Sequence, residues 1–271
     1  MTRRPRIGSK IFLGLIYLFL YAPIFIMIAF SFNSSKSRTV WSGFTFDWYR
    51  QLFHDEQIIS SLTTTIGVSV LAAIVATVAG TFAAIGFYNM RKRWSSFYLA
   101  INNIPVMNAD IVTGVSLCLL FVSLGTVLKY QLGFGTLLIA HITFNIPYVI
   151  LSVMPKLRQM DKNLIDAAMD LGCTWFQAFY KVMIPEIMPG IINGMMIAFT
   201  MSIDDFVISY FTAGSKVQTL SMTIYAMTRK RISPKINAVS TLLFLFILTL
   251  LVIINLRQIS QEERERKLRK K

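Results

Sequence analysis

Three of the thirteen aspartates and glutamates fall inside long apolar runs: Asp110, Asp204 and Asp205. A carboxylate at the centre of a bilayer costs roughly 2.5–3.5 kcal/mol, so such acids face a cavity or a partner. The apolar runs around them hold no Lys or Arg. An acidic cleft of low dielectric attracts a cation, and one ion pair at about 4 Å is worth about 4 kcal/mol at an effective dielectric of about 20. Neighbouring residues of a helix point about 100° apart, so only one of Asp204 and Asp205 is expected to face such a cleft. The alternative is structural. The acids could instead cap helix ends or bond to Asn102, Asn103 or Asn145, because Asp favours caps and bends.

The elements that carry these acids follow from composition. The chain has 271 residues, of which 55% are hydrophobic and 15% charged, and its mean hydropathy is +0.58. Soluble domains carry about 25% charged residues. These values exclude an ordinary cytosolic enzyme, a disordered chain and a secreted disulfide scaffold, and they point to a polytopic membrane protein. Cys118 and Cys173 are too few for a disulfide framework. The net charge of +14 fits loops and tails facing anionic lipid rather than a nucleic acid.

A membrane helix needs about 20 apolar residues. Six runs qualify, at about residues 11–32, 62–88, 97–124, 132–153, 187–210 and 236–256. The fold class is therefore all-α, with residues 1–271 forming one transmembrane domain. The first run is longer than a signal-peptide core and is expected to remain as a span. The third run is expected to break or kink at Pro105, which removes a backbone hydrogen bond. Six spans put both termini on one side. With the N-terminus inside, eighteen of the 27 Lys and Arg, including Arg3, Arg4, Arg6 and the cluster Arg91 to Arg93, fall on the inner side. This bias predicts N-in, C-in. The cluster Arg229 to Lys235 falls outside under that topology, which implies either an external partner or a different boundary. The mixed-charge tail Gln261 to Lys271 reads as a solvated helix end.

The long inner loop, residues 154–186, is patterned. Leu157, Met160, Leu164, Ala168 and Leu171 recur at spacings of three and four, which predicts an amphipathic helix. Asp161 can cap it and Gly172 can end it. Thr174 and Gln177 form a capping box for a second short helix, with Phe176, Phe179, Tyr180 and Met183 on its apolar side and Pro185 expected to stop it. Four acids against four bases, and tethering to the bilayer at both ends, argue against a DNA-reading helix-turn-helix.

Asp166-Ala167-Ala168-Met169-Asp170-Leu171-Gly172, with Val182-Met183-Ile184-Pro185 nine residues on, resembles the EAA loop of ABC importer permeases. Asp166 replaces the Glu of that pattern, and Val182 and Ile184 replace its Ile and Leu. The resemblance covers essentially the whole chain and implies a type I importer permease in a bacterial inner or plasma membrane. It implies as partners a homologous second permease, an ATPase dimer that docks on the loop, and an external substrate-binding protein. Leu164, Asp166, Ala167, Ala168, Leu171, Gly172 and Phe176 are then the candidate ATPase-coupling residues. The chain has no G-x-x-x-x-G-K-[ST] loop, so no cofactor is expected in it. ATP and Mg would be bound by the partner, and the chain is not expected to be an enzyme.

Ser202 to Ile208 with Phe211 to Gly214, Phe32 to Ser35, His141 to Phe144, and Ser233 to Ala238 are similar to the spermidine/putrescine permease family of the PotC type. That resemblance implies a polyamine as cargo, handled by Asp110, Asp204 and Asp205. Aromatic walls suit such a cation through cation–π contacts of about 0.5–2 kcal/mol each. Phe206 and Tyr210 are the candidates on the pathway. Trp41, Trp48, Tyr49 and Phe211 are also eligible, and any of these rings could instead belong to an interfacial belt. Two rivals stand: the same family moving another solute such as a ferric ion or an anion, and an ATP-independent channel or secondary transporter, which paired broken helices in inverted repeats would favour. His141 reads as a hydrogen-bonded packing residue, with a proton relay as the alternative.

Overall fold

A computed structural model describes residues 7–35, 40–161, 163–229 and 234–268. Arg3, Arg4, Arg6, Lys36, Arg38, Lys162, Lys230, Arg231 and Ser233 lie outside the described residues, as do the side chains of the charged tail beyond residue 256. Among the described residues the regular elements are all helical. Six helices are long and apolar enough to cross a membrane: Lys10–Phe30, Glu56–Asn89, Asp110–Leu128, Phe134–Gln159, Trp175–Asp204 and Lys235–Leu256. The chain forms two compact units, Met1–Ile59 with Thr223–Leu248, and Ser60–Met222 with Thr249–Lys271.

The first unit begins with α1 (Ile7–Phe30). After α1 the backbone turns around Asn33, which is buried. The Asn33 amide donates to the Val40 carbonyl at 2.8 Å and its Oδ1 accepts from Ser42 N at 3.0 Å. Its own carbonyl accepts the Trp48 indole N–H at 2.7 Å. Trp48, on α2 (Asp47–Leu52), is therefore a buried strut. Tyr49 and Phe46 pack on Phe32, and Phe44 stacks on it at 5.2 Å. Lys235, the first residue of α12 (Lys235–Leu268), pairs with Asp55 at 3.5 Å. Arg229 lies 5.4 Å over the Tyr225 ring. The two described side chains of that basic cluster thus have partners within the unit. The backbone of α12 stays helical to Leu268, through most of the mixed-charge tail.

The second unit holds most of α3 (Glu56–Asn89), then α4 (Lys92–Met107), α5 (Asp110–Leu128), α6 (Phe134–Gln159), α7 (Asn163–Asp170), α8 (Trp175–Ala178), α9 (Ile184–Asp204) and α10 (Val207–Thr212). The helix α11 (Leu220–Arg229) starts where the Leu220 amide donates to Thr65 Oγ1 at 2.7 Å. The core of this unit includes Val149 of α6. A Cβ on Gly80 would stand 2.8 Å from Val149 Cβ, and one on Gly194 would stand 3.2 Å from Val149 Cα. Small residues let α3, α6 and α9 approach this closely, which is how helices associate where lipid removes the hydrophobic drive. Ala73, Ile150, Val153, Leu157 and Ile187 fill the rest of this core.

Three expectations need correction. The third run does break, but not at Pro105, which sits inside α4 near its C-terminal end. The chain leaves the helix at Asn108 and Ala109, both extended, and α5 restarts at Asp110. Pro185 does not stop the loop's second helix either. Phe179–Met183 forms a π-helical turn, and the helix runs unbroken from Trp175 to Asp204. Pro185 directly follows the π-helical turn, where the regular i→i−4 ladder is already interrupted, so its missing N–H is accommodated within a continuous helix. The fifth span, expected to continue to residue 210, instead opens at Asp205, which is extended, before α10.

Exchanging Gly80 for Ala forces Val149 aside, whereas the Cβ position of Gly67 on the same helix is open. Gly80→Ala is expected to lower the thermal stability of the detergent-purified protein by about 1–3 kcal/mol through overpacking. Gly67→Ala is expected to leave it equal or to raise it by up to about 1 kcal/mol. Paired melting curves check this.

Candidate functional site: paired helix breaks and a blunt loop

The loop between the fourth and fifth spans folds as two short helices. Asp161 Oδ1 accepts from Asn163 N at 3.0 Å to start α7. Gly172, at φ +90°, ends α7 with Cys173 N bonded to the Ala168 carbonyl at 3.1 Å. The Thr174–Gln177 capping box starts α8. Leu171 is 87% exposed and Phe176 76% exposed, so both apolar side chains stand out in solvent. Leu164, Asp166, Ala167 and Gly172 are also exposed. Ala168 differs, because it turns inward and is buried. Sequence pattern alone missed Trp175, which stacks on Phe179 at 5.5 Å and borders a cleft of about 470 Å³ with Tyr88, Asn89, Asp166 and Met169.

The three acids, expected within spans, sit at two helix breaks: Asp110 opens the third candidate span, Asp204 closes the fifth, and Asp205 follows it. Asp110 is the first residue of α5, Asp204 the last of α9, and both are exposed. The helices α5 and α10 run side by side in one direction. A Cβ on Gly114 would lie 3.0 Å from the Phe211 ring and 3.5 Å from Ile208 Cα, and further along Phe121 and Gly125 border the same cleft as Gly214. Asp110 precedes that contact by one turn, as Asp204 and Asp205 do on the other strand of the chain. The two breaks therefore lie within about one helical turn, or about 5 Å, of the same level. Both helix starts turn their partial positive ends toward the break.

Asp205 takes a different part from its neighbour. Its side chain is 7% exposed. It accepts from Ile208 N at 3.2 Å, Ser209 N at 2.7 Å and Ser209 Oγ at 2.8 Å. It thereby caps α10, as the structural alternative anticipated. His141 Nε2 stands 3.5 Å from Asp205 Oδ2. The asparagines do not hold the acids. Asn102 donates to the Pro147 carbonyl at 3.5 Å, while Asn145 and the Asn103 Oδ1 are buried without a hydrogen-bond partner among the described residues. The Phe206 and Tyr210 rings pair at 5.5 Å beside Asp204, with Tyr210 exposed. Trp48 and Tyr49 serve the first unit's core, as described above.

Residues 76–270 match the family described as "Binding-protein-dependent transport system inner membrane component". The chain belongs to this family. Among its relatives, the putrescine transport system permease protein PotI of Escherichia coli is 38% identical over 230 residues, covering 84% of this chain and 82% of that one. The spermidine/putrescine transport system permease protein PotC of Escherichia coli is 36% identical over 241 residues, covering 89% and 90%. A chain of the bacterial alginate ABC transporter solved with its pentasaccharide-bound periplasmic protein shares the fold, with a TM-score of 0.69, 14% identity and 92% coverage of each. The chain is thus a multi-pass inner-membrane permease component of an ABC importer, and the channel or secondary-transporter rival is set aside.

Asp205→Ala removes three acceptor contacts and is expected to cost about 1–2 kcal/mol of stability. Asp204→Ala, at an exposed helix end, is expected to stay within about 0.5 kcal/mol of wild type. Thermal unfolding of the purified protein separates the two.

Proposed function

We propose that this chain forms one half of the translocation pathway of an ATP-driven importer for polyamines of the spermidine/putrescine class. The observation that carries the substrate class is the placement of Asp110 and Asp204. Both are exposed at adjacent helix breaks, and neither pairs with a Lys or Arg among the described residues. A linear cation with several ammonium groups suits two carboxylates and the Phe206–Tyr210 ring pair. The names of the similar permeases support the same reading. Asp205 serves as the cap that fixes the break.

The loop supplies the coupling. Leu171 and Phe176 offer apolar contact to a groove on a partner ATPase dimer, which binds ATP and Mg and performs the hydrolysis. The continuous helix Trp175–Asp204 joins that contact to the cation-facing break as one rod. Both termini and this loop lie on the cytoplasmic side, in contact with anionic lipid. A homologous permease completes the pathway, and an external binding protein delivers the cargo.

Uptake of radiolabelled spermidine and putrescine by cells lacking their own polyamine importers tests this, with the chain expressed beside its partner subunits. Asp110→Asn and Asp204→Asn are each expected to cut uptake at least about tenfold at equal membrane level, a modest fraction of one ion pair's worth. Assembly without polyamine uptake overturns the substrate class. At the other end, Phe176→Glu places a charge in an apolar contact. It is expected to abolish ATPase co-purification while the permease remains in the membrane, and retained co-purification would remove Phe176 from the coupling surface.

A further inference from the structure

The break at Asp205 is bridged by a buried side chain from another helix. His141 is 1% exposed and belongs to neither half of the broken span, since it stands on α6. Each of its ring nitrogens holds a different half. Nδ1 lies 2.6 Å from Ser202 Oγ, two residues before the end of α9. Nε2 lies 3.0 Å from Ser209 Oγ, in the first turn of α10. The same Ser209 hydroxyl donates to Asp205 Oδ2 at 2.8 Å. One tautomer, with the proton on Nε2, accounts for every bond. Ser202 O–H donates to Nδ1, Nε2–H donates to Ser209 Oγ, and Ser209 O–H passes on to the carboxylate.

We propose that His141 is a positioning residue that splints the broken fifth span, fixing the angle between α9 and α10 and so the placement of Asp204, Phe206 and Tyr210 toward the cargo. The consequence for cargo rests on the polyamine reading above, whereas the splint itself does not. The break needs such a splint because α10 is only six residues long. The contacts between α10 and its neighbours include Thr136 Oγ1 to the Thr212 carbonyl at 2.8 Å at its far end and apolar packing around Gly114 and Phe144. The apolar cluster takes in Met201 of α9 as well as Ile208 of α10, but it holds them without directional bonds. A planar ring with a donor and an acceptor on opposite edges supplies those bonds. Glutamine offers the same pair of functions on a flexible stem, and phenylalanine offers the ring without them.

The test uses the full importer with its partner subunits in membrane vesicles, comparing wild type with His141→Phe, His141→Gln, Ser202→Ala and Ser209→Ala. The first readout is independent of cargo: the rate at which a water-soluble maleimide labels a cysteine placed at Tyr210, in a background with Cys118 and Cys173 changed to Ser. His141→Phe is expected to change that rate by about tenfold, the equivalent of one charge-linked hydrogen bond, and His141→Gln to restore most of it. The second readout is spermidine uptake. His141→Phe is expected to raise KM about tenfold with a smaller effect on maximal rate, as loss of an aligned cation site requires. Each serine variant is expected to produce part of the effect and to add little in combination with His141→Phe. Unchanged labelling in His141→Phe overturns the splint. Equal losses in His141→Phe and His141→Gln also overturn it, because they mark simple core filling. Altered labelling in His141→Phe, together with a wild-type importer that moves no polyamine, keeps the splint and removes only the cargo reading.

Discussion

A helix that stops inside a bilayer must find partners for the backbone groups it abandons, because lipid supplies none. The second unit of this chain has two helix breaks, one at the start of the third candidate span and one at the end of the fifth. At Asn108–Ala109 the following helix opens with Asp110, and at Asp205–Phe206 the acid itself accepts the first amides of α10. The same residue type that makes the breaks tolerable makes them acidic. A carboxylate at a helix start is stabilised there by the dipole, help that Asp204, as the last residue of α9, does not receive from its own helix.

Precise placement of the breaks depends on packing elsewhere. Val149 is held between Gly80 and Gly194, so α3, α6 and α9 cannot slide without a clash. His141 lies on the same helix as Val149, two turns earlier. The close approach that fixes α6 against α9 therefore also fixes the imidazole against Ser202. Further on, Gly114 lets α10 lie against α5, which sets the two breaks level. Each link consists of small residues or short polar side chains, the kind of contact that membrane helices use in place of a hydrophobic drive.

The rod from Trp175 to Asp204 ties the polar loop to these breaks. Its π-helical turn at Phe179–Met183 keeps the backbone continuous where Pro185 follows. About 30 residues at 1.5 Å each give a lever of about 45 Å. The exposed Leu171 and Phe176 stand at one end and Asp204 at the other.

Much of this was written in the sequence. Hydropathy alone specified six spans, because burying unpaired backbone in lipid leaves few alternatives to a helix. Asp161, Gly172, Thr174 and Gln177 declared the loop's two helices, because caps act within a turn and need no distant partner. The intramembrane acids announced themselves by their cost. Other features were decided only by tertiary structure. Pro105 and Pro185 looked like breakers, yet helix continuity depends on neighbours that can accommodate a missing N–H. Nothing local told Asp204 from Asp205: adjacent identical residues differ only in what the fold brings to them, and His141, more than sixty residues earlier in the chain, comes within 3.5 Å of one and leaves the other exposed.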